Sequence, residues 1–360
     1  MSKSEADYLK ELIAFPSVST DKETLNLCAG YLAGFFKSNG MYTRIIESGG
    51  YPNVIATSQK TKTPSILLQA HMDVVPADQA MFKLRQRGGK LIGRGTFDMK
   101  FACASYMKLL DELGEDIHKY DFGIILTFDE EIGGHNGVEA MLNQGYGAQI
   151  CILPDSGKNW QLETTGNGAW FVKLSKVGKS AHGSLPHTGI NAAEILNQAT
   201  AEICELREQY DKHELALSLT RQNAGKAMNQ IPGYAEATFD IRFRTDEIYK
   251  DIKTRLGKIC AKYKVRMENI ELFACMSVDV TKPEIVRFTS IAEEVLSHKI
   301  TTSHSEGSTD ARYFCAKGIP CVIIQPDGGG RHSDDEWIDH AGLKKFTQIL
   351  SRYIKEYAII

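Results

Sequence analysis

Hydrophobic and polar positions alternate along this chain of 360 residues in two rhythms, and the change of rhythm divides it. In the first part, apolar residues recur at helical spacing over 6–13, 22–39 and 99–113. Between these stretches lie short, uninterrupted apolar runs at 65–69, 122–128 and 149–153, with another at 320–325. An apolar run without polar alternation reads as a strand covered on both faces. Runs of this kind interleaved with helices predict a mostly parallel sheet with helices on each side.

The middle of the chain keeps a different beat. Ala235, Ala237, Phe239, Ile241 and Phe243 alternate with Glu236, Thr238, Asp240, Arg242 and Arg244, the pattern of a strand with one buried face. Trp170, Val172 and Leu174 alternate with Lys173 and Ser175 in the same way. Helical spacing over 190–209 and 246–263, and strand-like stretches at 215–219 and 266–274, complete the order β-α-β-β-α-β, a ferredoxin-like plan. The expectation is an α/β catalytic domain built from 1–163 and 277–360, interrupted by a smaller α+β lid or dimerisation domain at 164–276.

Composition narrows the function. Charged residues make up 24% and the net charge is −3, so there is no basic footprint for nucleic acid or for an anionic membrane surface. No apolar stretch approaches the roughly 20 residues that cross a bilayer. The first twelve residues mix acids with apolar positions and do not read as a secretory leader. The eight cysteines form no CxxC pair and sit mostly in apolar runs, as reduced thiols of a cytoplasmic protein do.

In open α/β sheets ligands bind beyond the carboxyl ends of the strands. His71 and Asp73 follow the run ending at Ala70. Asp129, Glu130 and Glu131 follow Phe128, and Asp155 follows Pro154. His332 follows the Gly328-Gly-Gly-Arg331 loop, and Asp98 stands just before a predicted helix. Each alone has a bland reading: a satisfied His–Asp pair, a solvated acidic pair, a capping residue. Together they would crowd carboxylates whose charges repel, a conflict that bound cations remove. Imidazole with carboxylate is an ordinary Zn²⁺ ligand set.

Four segments carry a resemblance. Leu67-Leu-Gln-Ala-His-Met-Asp-Val-Val-Pro76, Gly93-Arg-Gly-Thr-Phe-Asp-Met-Lys100, Asp129-Glu-Glu-Ile-Gly-Gly134 and His332-Ser-Asp-Asp-Glu-Trp337 resemble the signatures of one dinuclear metallopeptidase and amidohydrolase family. That family includes succinyl-diaminopimelate desuccinylase, acetylornithine deacetylase, aminoacylase and several dipeptidases and carboxypeptidases. The resemblance implies two divalent cations, Zn²⁺ by preference with Co²⁺ or Mn²⁺ also fitting. His71, Asp98 and Asp155 would hold one, and Asp98, Glu131 and His332 the other. Asp73 would orient His71, and Glu130 would be the general base acting on a metal-activated water. The peptide bond after Asp98 is often cis in such proteins.

Further positions follow from the same likeness. Ser180-Ala-His-Gly-Ser-Leu-Pro186 is similar to the family's lid motif, in which His182 would donate to an oxyanion, in many members across a homodimer. Asn223, Arg242, Ser308 and Thr309 resemble the part that grips a substrate's free carboxylate. The implied reaction is cleavage of an amide bond in a dipeptide or N-acyl amino acid. The competing readings are a mononuclear hydrolase and an inactive metal- or peptide-binding relative.

Two departures stand out. Phe101 replaces the glycine of many relatives, removing no ligand. Asp155 stands where acylases and desuccinylases usually carry Glu and peptidases more often Asp, which tilts the expectation towards peptide-like substrates.

Overall fold

The computed structural model describes residues 3–360. The chain separates into two compact units. The first contains Met1–Thr164, Ser277–Ser305 and Thr309–Ile360, and the second Thr165–Met276 with Glu306–Ser308. The brief return of 306–308 to the second unit had no signal in the sequence pattern.

The first unit is built on a six-stranded sheet in the order Tyr42–Ser48, Tyr51–Thr57, Phe122–Thr127, Ile66–His71, Ile150–Ile152, Cys321–Val322. The last four strands run parallel, and the first two form an antiparallel hairpin on one edge. Every residue of Ile66–His71 and Phe122–Thr127 is buried, as expected for strands covered on both faces. The outer strand of the hairpin escapes the apolar-run criterion because it is exposed or half-exposed throughout. Gly49 and Gly50 make its turn, both at positive φ. The helices start where short polar side chains cap them: Ser4 accepts from Asp7 N, Asp21 from Thr24 N and Asp339 from Gly342 N.

The helix expected over 99–113 spans Lys100–Leu113 and is buried along most of its length. Phe101 is fully buried and meets Phe346 edge to face at 5.5 Å, so its ring fills the core between this helix and His340–Tyr357. The run at 320–325 is buried from Cys321 onward, but only Cys321–Val322 pairs as strand. No helix among the described residues is long and apolar enough to cross a membrane.

In the second unit the order is strand Gly168–Val177, helix Ala192–Glu205, strands Leu215–Ala224 and Tyr234–Phe243, helix Asp246–Tyr263, strand Arg266–Phe273. The four strands pair antiparallel as Leu215–Ala224, Tyr234–Phe243, Gly168–Val177, Arg266–Phe273. Trp170, Val172, Phe239 and Ile241 point into one core with Leu196 and Ile203 of one helix and Ile252 and Leu256 of the other. The alternating polar residues take the opposite face.

Candidate active site

Three neighbouring parallel strands deliver polar residues at their carboxyl ends. Ile66–His71 ends in His71 with Asp73 just beyond, Phe122–Thr127 leads to Glu130 and Glu131, and Ile150–Ile152 leads to Asp155. Two loops complete the set. Asp98 arrives on the segment before Lys100–Leu113, across a cis peptide bond to Met99. His332, at φ 61°, sits in the loop between Gly328–Gly329 and Trp337–Asp339. A small sheet brings these loops together, because Trp337 pairs with Ile92 and Ile338 with Leu91.

Asp98 faces two ways. Its Oδ1 lies 3.0 Å from His71 Nε2, which is also 3.7 Å from Asp155 Oδ1. Its Oδ2 lies 3.1 Å from His332 Nε2, and that nitrogen is 3.1 Å from Glu131 Oε2. Two groups result, His71–Asp98–Asp155 and Asp98–Glu131–His332, each with its ligating atoms within 4.8 Å of one another. Asp155 Oδ1 is buried and accepts no hydrogen bond. A buried carboxylate oxygen without a hydrogen bond, beside an imidazole and a second carboxylate, fits a divalent cation.

The electrostatics describe the same crowding. Burial opposes charge on His71, but the adjacent carboxylates of Asp155, Asp73 and Asp98 hold its pKa well above the usual imidazole range. Burial would raise Asp98, yet the Arg331 charge and bonds from His332 and His71 keep it well below the usual carboxylate range. Contacts with Asp98 and Glu131 lift His332 to about 10. Glu130 is pushed well up, by burial first and by the charge of Asp155 next. Burial also raises Glu131, against the bond from His332.

Asp73 stands against the Nδ1 side of His71. Its main-chain oxygen accepts from that nitrogen at 3.0 Å, and its carboxylate lies 3.5 Å from it. The carboxylate also accepts from Glu130 N at 3.2 Å, Glu131 N at 3.1 Å and Ser19 Oγ at 2.8 Å. One residue therefore fixes both the imidazole and the acidic pair on the neighbouring strand. The cause is the parallel register, which sets His71 opposite Thr127 and so brings the two strand ends level.

Glu336 was part of a recognised motif but carried no expected role. It is fully buried, and its carboxylate accepts from Phe97 N, Asp98 N and Gly95 N at 2.8, 3.0 and 3.1 Å and from Arg94 Nη1 at 2.6 Å. It thereby clamps the turn that presents Asp98. Asp310 is buried with neither carboxylate oxygen hydrogen-bonded, and burial raises it to about 7 against the charge of Arg312. Its Oδ1 packs against Gly134, where a Cβ would collide with it. Charged residues with no apparent solvent-facing reason in a motif are the only sequence signal for such groups.

The remaining expected residues are spread over both units. Thr309 is buried in the first unit, its Oγ1 accepting from Ala311 N at 3.2 Å, and the adjacent Ser308 belongs to the second. In the second unit His182 is exposed, and Ser184 N donates to its Nδ1 at 3.2 Å. Nδ1 is thus an acceptor, and the neutral ring carries its proton on Nε2. Asn223 is exposed beside a cavity of about 540 Å³ that Lys226, Tyr234 and Glu236 also line. Arg242 lies on the polar face of its strand with Nε and Nη2 on Asp240 at 2.6 and 3.1 Å, a fork already occupied within its own strand.

The sequence profile of Peptidase family M20/M25/M40 matches residues 67–356. The chain is 28% identical to a succinyl-diaminopimelate desuccinylase of Pelagibacter ubique, covering 98% of each. It is 27% identical to aminoacylase-1 of Sus scrofa over 80% of this chain and 79% of that relative. In fold it is similar to a tripeptidase of Staphylococcus aureus, with TM-score 0.79 at 18% identity and 98% of both chains covered.

Proposed function

The chain belongs to Peptidase family M20/M25/M40 and is a hydrolase acting on amide or peptide bonds; from that premise we propose that it cleaves a dipeptide or N-acyl amino acid with Glu130 as general base. The observation that carries this reading is Asp98, which turns one carboxylate oxygen towards each of two ligand groups. His71, Asp98 and Asp155 would hold one divalent cation, and Asp98, Glu131 and His332 the other, with Zn²⁺ preferred and Co²⁺ or Mn²⁺ acceptable to the same donors. When bound, the cations supply positive charge that acidifies a water and polarises the scissile carbonyl.

Glu130 performs the proton transfers. Its carboxylate takes a proton from the attacking water and delivers it to the leaving nitrogen. Burial and the negative charge of Asp155 raise its proton affinity, which suits a group that must hold a proton between two steps. Asp73 keeps Glu130 and Glu131 in place through their main-chain N–H groups. His182 would donate from Nε2 to the oxyanion, a role that a homodimer would allow across subunits. Asn223, Arg242, Ser308 and Thr309 would bind the substrate's free carboxylate, with Arg242 exchanging Asp240 for it.

Asp155 rather than Glu favours peptides over N-acyl amino acids. A cytoplasmic location accords with the absence of structural disulfides, since all eight cysteines are free.

The test is a panel of dipeptides and N-acetyl, N-succinyl and N-formyl amino acids with added Zn²⁺, Co²⁺ or Mn²⁺. Glu130→Gln should lower kcat by roughly 10²–10⁴-fold while metal content stays unchanged. Full turnover in that variant, or no amine released from any substrate, would overturn the reading.

A further inference from the structure

The guanidinium of Arg331 occupies the ground between the two ligand groups. Its Nε lies 3.4 Å from Asp98 Oδ2 and its Nη1 3.5 Å from Asp155 Oδ1. Two neutral acceptors hold it there independently of those charges. Nη2 donates to the main-chain oxygen of Asp155 and, at 3.2 Å, to Gln325 Oε1. Gln325 is itself fully buried and fixed by its Nε2 donating to Phe97 O at 3.0 Å. The anchor therefore runs back to the turn that carries Asp98. Arg331 is fixed beside the carboxylates as a third, built-in cation.

We propose that Arg331 is an internal counter-cation that competes with metal for one carboxylate oxygen of each position. The reason is in its contacts. Its Nη1 faces Asp155 Oδ1 of the first position, and its Nε faces Asp98 Oδ2, the oxygen that also meets His332 in the second. A fixed positive charge a few ångströms from a ligand carboxylate repels an incoming cation and neutralises the carboxylate that would attract it. The same charge relieves repulsion between Asp98 and Asp155 in the metal-free protein. Arg331 thus lowers the gain from metal binding on both sides of the equilibrium. The inference rests on the two-metal reading above.

The experiment is stepwise Zn²⁺ titration of the chelator-treated full chain by competition with a chromophoric chelator, together with melting temperatures before and after loading. Arg331→Met should bind both Zn²⁺ ions more tightly, each by roughly 10-fold. Its metal-free form should melt lower than wild type, and its loaded form should gain more on binding. Arg331→Lys, which keeps a charge but not the planar fork, should remain nearer wild type in both constants. A residue that merely packs the loop would weaken metal binding in both variants. Unchanged or weaker Zn²⁺ binding in Arg331→Met, with two ions still bound by wild type, would overturn this inference alone. A wild-type protein that takes up no Zn²⁺ would overturn the two-metal reading and this inference with it.

Discussion

The two units treat charge in opposite ways. In the first, Asp73, Asp98, Asp129, Asp155, Asp310 and Glu336 are all buried, and Asp155 and Asp310 keep oxygens without hydrogen bonds. In the second, no carboxylate among the described residues is buried. Its acids meet cations at or near the surface, as in Lys173–Glu236 at 2.7 Å, Arg242–Asp240 at 2.6 Å and Lys262–Glu202 at 2.6 Å. Pairs of that kind stabilise little, because water already solvates both partners. Burying carboxylates beside one another opposes folding unless something else meets their charge. The difference teaches that the first unit gathers buried carboxylates that need counter-charge, whereas the sheet of the second is held by its apolar face.

Breaking the shared carboxylate should have the largest effect. Asp98→Ala removes both oxygens, one from each ligand group, so both positions should lose metal. Asp155→Asn should empty only the position it shares with His71. Metal-to-protein ratios after gel filtration distinguish the two, and equal losses in both variants would contradict the bridging geometry.

The next largest effect belongs to the clamp. Glu336→Gln replaces one acceptor oxygen by an NH₂ group facing existing donors, either Arg94 and Gly95 or Phe97 and Asp98. Chemical denaturation should show a loss of about 3 kcal/mol, the scale for a disrupted buried charged network. An unchanged midpoint would deny Glu336 its part in holding the Asp98 turn.

A smaller effect should appear with pH. Burial raises Glu163 to about 7, against a bond from Ser156, whereas an unfolded Glu titrates near about 4.3. Between those values the folded protein binds more protons than the unfolded one, so stability falls as pH rises through the window and then levels. In metal-free protein, Glu163→Gln should flatten the fall in melting temperature between about pH 4.5 and 7. An identical slope in the two proteins would show that other groups cause it. The smallest effect is expected in the second unit, where Lys173→Met should leave the melting temperature unchanged.

Much of this was legible along the chain. The long apolar runs marked the central strands at 65–69 and 122–128, and strict alternation at 235–244 marked the half-buried strand of the second unit. The outer hairpin strand Tyr42–Ser48 was missed because an exposed edge needs no apolar face. Arg242 sat on the polar face as alternation required, but pattern alone could not reveal that Asp240, two residues away on that face, takes its fork. Glu336 stands in a motif segment, but its role had no local signal, since its donors at 94–98 lie far away in sequence.

The sequence by itself determined which residues could ligate and on which strand ends they stand, because side-chain periodicity and donor chemistry are local properties. Only the tertiary structure decided that Asp98 divides its oxygens between two groups, that Glu336 fixes the turn beneath it and that Arg331 lies between them. Those relations depend on distances of a few ångströms between segments far apart in sequence, as Asp98 is from Arg331 and Glu336, which packing sets and pattern cannot.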